Sequence, residues 1–335
     1  ADLSNFVDVV SREGQMRRSL IWIAMALVAG GWYFRSNLPL DKILPRRREE
    51  QAIPTALPPP PANRDVIRIA SFSIRGFGQQ KASNLDVMKI LVDIVRRFDL
   101  VAIQEIRSTD QQLIPDFVDQ INADGHQYDF VLGQRQGRTL SQEQYAFIFD
   151  AASLQVDRQA CYSIEDPEDL LHRPPLVAPF RVRGVPPERA FTFVLINIHT
   201  DPDEVDTEID VLADVYRAVR RASLGEDDVI LLGDLNADDR HLGELAHVPA
   251  IRWVISAAPT NTRGTRQYDN ILFSGRSTTE FTGRAGIVRL DREYGLTVEE
   301  ALRVSDHLPI WAEFNVYEHG ARGPIAVLPE RTATE

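Results

Sequence analysis

The chain has 335 residues, a formal net charge of −12, a 44% hydrophobic fraction and a single cysteine, Cys161. One thiol excludes an intramolecular disulfide, so the fold stands on packing alone and Cys161 reads as a structural or surface thiol. The acidic balance argues against a broadly basic nucleic-acid grip, but not against an enzyme that meets nucleic acid briefly at a local site.

Residues 20–34 (LIWIAMALVAGGWYF) are uncharged and almost wholly apolar, between Arg17-Arg18 and Arg35. The run is shorter than the about 20 residues of a spanning helix and long for the apolar part of a signal peptide. Trp22 and Trp32-Tyr33 stand near its ends, where interfacial aromatic anchors sit. The expectation is a single-pass membrane anchor in an N-terminal segment 1–50. A cleaved signal, which makes the protein secreted, and an interfacial or core helix stay as alternatives. Arg35, Lys42 and Arg46-Arg47-Arg48 against Arg12, Arg17 and Arg18 tilt the following domain only slightly toward the cytoplasm, so sidedness stays open. Residues 51–64 hold Pro58 to Pro61 and form an extended linker. The folded domain is expected over 65–316, and the tail 317–335, with Gly320, Gly323, Pro324 and Pro329, reads as disordered.

Within the domain, Val66 to Ile74 reads as a strand, and Leu85 to Phe98 carries helical spacing at Leu85, Met88, Leu91, Val92, Val95 and Phe98. Leu100 to Ile103 is a buried strand ending at Gln104-Glu105. Tyr145 to Phe149, Leu176 to Val182 and Phe191 to Ile198 are further strands. Glu204 to Ala222 is a long amphipathic helix with Ile209, Leu212, Val215, Tyr216 and Val219 on one face. Val229 to Leu232, Trp253 to Ile255, Asp269 to Phe273 and Leu308 to Val316 complete the strands. This order predicts an α/β domain of two packed sheets covered by helices.

Polar residues repeatedly stand at the ends of these apolar strands: Glu105, His199, Asp234, Asn236, Asp269, Asp306 and His307. Any one of them is explained by a turn or helix cap. The set is not, because independent turns do not gather carboxylates, an amide and two histidines at so many strand ends. This combination suits phosphodiester hydrolysis. Carboxylates are hard oxygen ligands for Mg²⁺, which offsets charge on a phosphoryl group and leaving oxygen. A carboxylate-oriented histidine can take a proton from water while a second one donates to the leaving group.

At these residues the chain resembles the endonuclease/exonuclease/phosphatase superfamily and, within it, the deoxyribonuclease I family, over roughly residues 66–316. The matching motifs are Gln104-Glu105 with Arg107, Ile196-Asn197-Ile198-His199, and Pro202 with the helix Glu208-Ile209-Asp210 to Asp214-Val215-Tyr216. They continue with Gly233-Asp234-Leu235-Asn236, Tyr268-Asp269 and Ser305-Asp306-His307. The resemblance implies a four-layer α/β sandwich of two packed mixed sheets flanked by helices. It implies that Glu105 ligates metal with help from Asp306, that His199 pairs with Glu143 and His307 with Asp269, and that Asp234 and Asn236 position the phosphate, the attacking water or a second ion. Which histidine is acid and which is base stays open. Arg107 and Arg173 match arginines that contact DNA. Two positions depart from the family: Ser73 stands where an Asn supports the metal site, and Ser141 where a tyrosine packs in the minor groove.

The expected cofactor is Mg²⁺, with Mn²⁺ or Ca²⁺ as alternatives, and the expected partners are DNA as substrate and a membrane through residues 20–34. A phospholipid or inositol-phosphate phosphoesterase of the same superfamily is the alternative function, and an inactive binding module the third.

Overall fold

The computed structural model describes residues 65–138, 142–223 and 225–318. The apolar segment 20–34, the linker 51–64, Ser141 and the tail from 319 lie outside the described residues. Among the described residues no helix is long and apolar enough to cross a membrane.

In chain order the elements are β1 (Val66–Phe77), α1 (Gln79–Ala82), α2 (Leu85–Val95), β2 (Leu100–Ile106), α3 (Leu113–Asn122), β3 (Tyr128–Leu132), β4 (Gln144–Asp150), β5 (Leu154–Val156), β6 (Tyr162–Ser163), β7 (Leu176–Val182), β8 (Thr192–His199), α4 (Val205–Ala222), β9 (Val229–Asp234), β10 (Ile251–Trp253), β11 (Asp269–Ser274), β12 (Phe281–Ile287), α5 (Leu290–Glu293), α6 (Val298–Val304) and β13 (Ile310–Asn315). One sheet runs β12-β13-β1-β2-β4-β3, and the other β10-β11-β9-β8-β7-β5 with β6 beside β7. Each sheet is mixed: β1/β2 are parallel in the first and β8/β9 in the second, among antiparallel neighbours. The two sheets pack face to face between helices, giving the four-layer α/β sandwich.

Strand alternation decides which layer each side chain enters. In β8, Phe193 and Leu195 join the core between the sheets, whereas Val194, Ile196 and Ile198 join the layer under α4. Asn197 and His199 continue the first set, so they face the opposite sheet. In β9, Ile230 and Leu232 point to the same core, and Val229 and Leu231 pack against Ile209, Leu212, Tyr216 and Val219 of α4. Such strands are buried on both faces, which is why they read as unbroken apolar runs.

An aromatic seam joins the sheets. Phe180 on β7 meets Phe147 and Phe149 of β4 edge-on at 5.6 and 5.4 Å and stacks on Phe193 at 5.7 Å. Phe191 carries the seam to Phe314 of β13 at 5.9 Å. Offset and edge contacts of this kind stabilise by about 0.5–1.5 kcal/mol beyond area burial.

Several elements escape the sequence reading. α3 holds Pro115 in its first turn, where proline is tolerated because that N–H has no helical partner. β12 (FTGRAGI) is a glycine-bearing edge strand, exposed in its middle and shifted in register between Phe281 and Ala285. The strand expected over 253–255 is paired over Ile251–Trp253 instead. Tyr317 and Glu318, assigned to the tail by their sequence, are held: Tyr317 bridges Ala190, the Arg189 guanidinium lies 4.8 Å from its ring, and Glu318 N donates to Arg189 O.

Candidate active site

The strand-end residues converge at one end of the sandwich. β2 delivers Gln104 and Glu105, and its close leaves Glu105 at φ 60°. That left-handed backbone costs a non-glycine residue about 1–2 kcal/mol. Glu105 Oε2 accepts from Gly76 N at 3.1 Å. β8 and β9 end level with one another, with His199 opposite Asp234. Their close approach depends on Gly233: at φ 150°, an added Cβ would stand 1.9 Å from Ile198 O. Asn236 has φ 48°, a left-handed conformation that Asn tolerates. Its N–H donates to Asp234 Oδ1 at 3.1 Å and its Nδ2 to Thr200 O at 2.9 Å.

Two histidines face each other across one carboxylate oxygen. His199 Nδ1 lies 2.8 Å from Glu143 Oε2 and its Nε2 3.6 Å from Asp234 Oδ2. His307 Nδ1 lies 3.0 Å from Asp269 Oδ2 and its Nε2 3.4 Å from the same Asp234 Oδ2. Each couple takes one member from each sheet: Glu143 and His307 stand just before β4 and β13, while His199 ends β8 and Asp269 begins β11. Thr260, absent from the sequence-based set, locks the second couple by donating its hydroxyl to Asp269 Oδ2 at 2.6 Å.

Burial and pairing set the charges. Burial opposes protonation of His199, but Asp234 and Glu143 outweigh it and raise its pKa. The same contest raises His307 well above the ordinary imidazole value, through Asp234 and then Asp269. Burial also resists ionisation of Glu143, yet His199, Arg173 and Arg107 hold its pKa at about 2.

Glu105 and Asp306 flank this centre. Arg107 Nη2 is 2.8 Å from Glu143 Oε1 and 3.2 Å from Glu105 Oε2. Arg75, another residue the sequence reading passed over, is largely exposed and sits 3.3 Å from Asp306 Oδ2. Asp306 Oδ1 is buried with no hydrogen-bond partner among the described residues. Glu105, Asp306 and His307 each offer a ligand atom within 4.8 Å of the others, as do Glu105, His199 and Asp234. An orphaned carboxylate oxygen beside a second carboxylate is a donor set that fits a small hard cation.

Two expected contacts are corrected. Arg173, expected to meet substrate, is 4% exposed, and its Nε and Nη2 donate to His199 O and Thr200 O at 3.1 and 3.0 Å. It braces the strand end from inside the protein, because those carbonyls and Glu143 draw the guanidinium inward. Ser73, expected to lend its hydroxyl at the site, is fully buried, and its Oγ has no partner among the described residues. Its carbonyl accepts from Ser305 Oγ at 2.6 Å.

A polar tie that sequence reading missed sits one layer beneath. Gln104 Nε2 donates to Asn197 Oδ1 at 2.6 Å, and Asn197 Nδ2 donates to Ile103 O and Ala146 O at 3.2 and 3.1 Å. Both side chains are fully buried, and the tie crosses between the sheets. An amide inside the run Leu195 to Ile198 was the available signal. Outward from Asn236 and Tyr268 opens a cleft of about 520 Å³ that also touches Arg240, His241, Arg266 and Gln267.

This fold agrees with what related proteins show. A sequence model of the Endonuclease/Exonuclease/phosphatase family matches residues 70–307, and the chain belongs to that family. It is 32% identical over 261 residues to deoxyribonuclease gamma of Rattus norvegicus, covering 73% of this chain and 83% of that one. It is 33% identical over 276 residues to deoxyribonuclease-1-like 2 of Homo sapiens, covering 73% and 91%. Among solved structures, truncated Caenorhabditis elegans TDP2 superposes with a TM-score of 0.53 at 19% identity, covering 75% of this chain and 98% of that one, a likeness of fold.

Proposed function

We propose that the protein is a divalent-metal-dependent phosphodiester hydrolase that cuts DNA endonucleolytically. The observation that carries this reading is the convergence of two histidine–carboxylate couples on Asp234 Oδ2, beside Glu105 and Asp306. Relatives named as deoxyribonucleases support DNA as the substrate.

Glu105 and Asp306 would hold the ion, Mg²⁺ in the first instance and Mn²⁺ or Ca²⁺ otherwise. When bound, it supplies Lewis-acid polarisation of the phosphoryl oxygens and offsets charge on the leaving oxygen. Everything else falls to the chain's own groups. Asp234 and Asn236 position the phosphate and the attacking water between the histidines. Glu143 and Asp269 fix the rings with Nδ1 engaged, leaving each Nε2 for proton transfer: one imidazole takes the proton from water and the other gives one to the leaving oxygen. Arg107 and the exposed Arg75 neutralise flanking phosphates, and the cleft from Tyr268 to Arg240 receives neighbouring nucleotides. Arg173 and Thr260 position the couples.

Supercoiled plasmid incubated with the full chain and Mg²⁺ tests this reading. Nicking that EDTA and His199→Ala both abolish is the expected result. No nicking above that variant overturns the DNA reading. Hydrolysis of phospholipid vesicles or an inositol phosphate would then select the phosphoesterase alternative, and metal binding without turnover the binding module. Tethering rests on residues 20–34 alone: the full chain should pellet with membranes through an alkaline carbonate wash, and release into the supernatant would argue for a soluble or secreted protein.

A further inference from the structure

The opposite end of the sandwich carries a second acidic cluster with no part in the chemistry above. Asp228 stands immediately before β9, Glu280 immediately before β12 and Glu318 just beyond β13. Asp228 and Asp234 bracket β9, so about 20 Å separates this cluster from the candidate active site at the strand rise of about 3.3 Å per residue. Asp228, Glu280 and Glu318 each offer one carboxylate oxygen within 4.8 Å of the others. Asp228 is 1% exposed and Glu280 fully buried.

Acidic clusters are common, and this one is set apart by what points into it. Asp228 Oδ1 is buried with no hydrogen-bond partner among the described residues. The Thr278 hydroxyl, itself buried and without a hydrogen-bond partner among the described residues, lies beside the same carboxylate and favours its charged form. Asp228 N donates to Glu226 Oε1 at 2.8 Å, Thr279 Oγ1 to Glu280 Oε1 at 3.3 Å, and Thr192 N to Glu318 Oε2 at 3.4 Å. The charges that act most strongly on Asp228 are those of Glu280, Glu226 and Glu318, all of its own sign. A buried carboxylate oxygen without a partner, set among like charges, is a costly arrangement in a protein interior.

We propose that Asp228, Glu280 and Glu318, with the Thr278 hydroxyl, form a structural site for a hard divalent cation of the Ca²⁺ class. All the donors are oxygens, and two oxygens bound to one Ca²⁺ at about 2.4 Å each stand at most about 5 Å apart, as these do. The larger, geometrically tolerant ion suits donors drawn from separate segments better than Mg²⁺, which demands near-ideal octahedral geometry. Because Asp228 comes from one sheet and Glu280 and Glu318 flank strands of the other, the bound ion pins the sheets together at the end remote from the reaction. The proposal is independent of the reaction assigned to the other end.

Calcium-dependent stability of the full chain tests it, in a Glu105→Gln/Asp306→Asn background that silences the other carboxylate cluster. At pH 8, about 1 mM Ca²⁺ should raise Tm over EDTA by about 5 °C or more. Asp228→Asn and Glu280→Gln should each remove the response, and the half-buried Glu318→Gln serves if either fails to fold. Equilibrium dialysis with radioactive Ca²⁺ should show one ion fewer per chain in these variants. A calcium response that survives all three substitutions overturns the site. So does no calcium response combined with a Tm that climbs as pH falls from 8 to 6, because the carboxylates then share protons instead of an ion.

Discussion

Both ends of the sandwich bury acids, and they treat them in opposite ways. Where β8 and β9 finish, each carboxylate meets a cation: Glu143 has His199 and Arg107, Asp269 has His307, and Glu105 has Arg107. Where β9 begins, Asp228 meets Glu280 and Glu318. Pairing holds Glu143 at about 2, whereas burial and then its acidic neighbours push Asp228 up to about 9. Burial raises both carboxyls; at Glu143 cationic neighbours outweigh it, and at Asp228 acidic neighbours add to it.

Breaking the paired end should have the largest effects. EDTA should abolish plasmid cleavage, and Mg²⁺ or Mn²⁺ should restore it; activity that persists in chelator would remove the metal from the mechanism. His199→Ala and His307→Ala should each lower kcat by about 10²–10⁴ while leaving DNA binding near wild type in a gel-shift assay, as general acid–base groups do. Glu143→Gln should reduce kcat by less and move the acid limb of the pH–rate profile downward. It withdraws a carboxylate that raises the His199 pKa, so the imidazole becomes neutral at lower pH. An unmoved limb would detach His199 from that limb.

The contrast sharpens in the pH dependence of stability, where the ends should slope in opposite directions. Glu143 has a depressed folded-state pKa, so its contribution is present above the unfolded value near 4.5 and is lost as pH falls toward about 2. Asp228 has a raised one: its contribution is full below about 4 and is lost as pH climbs to about 9. In EDTA, Asp228→Asn should flatten the alkaline fall in Tm and Glu143→Gln the acid one, each measured by calorimetry from pH 3 to 9. The smallest effect is expected at Ser73. Ser73→Asn restores the family's amide and should tighten Mn²⁺ binding by a few-fold, read by titration calorimetry; unchanged or weaker binding would show the buried hydroxyl position to be unconnected with the ion.

Most of this arrangement was legible in the sequence because strand ends leave an abrupt polar mark after an apolar run. Glu105, His199, Asp234 and His307 each stand at such a boundary, and α4 showed its buried face through Ile209, Leu212, Tyr216 and Val219. What escaped depended on partners far away in the chain. Arg173 looks like a surface arginine until the carbonyls of His199 and Thr200 are folded around it. Thr260 is one hydroxyl in a polar loop until Asp269 is brought to it. The edge strand β12, with Gly283, Arg284 and Gly286, lacks the apolar alternation that identifies a strand. Asp228, Glu280 and Glu318 are separated by 52 and 38 positions in the sequence, and only the docking of two sheets brings them together.

Each histidine couple takes one partner from each sheet, and this makes catalysis a gauge of cooperativity. Neither sheet alone contains a complete couple, so no partly folded species with a single formed sheet can cleave. The Gln104–Asn197 tie crosses between the sheets one layer beneath the site, and loosening it should uncouple activity from global melting. In a Gln104→Leu or Asn197→Leu variant, cleavage should vanish at a lower denaturant concentration than the loss of helical signal, although every catalytic side chain is still present.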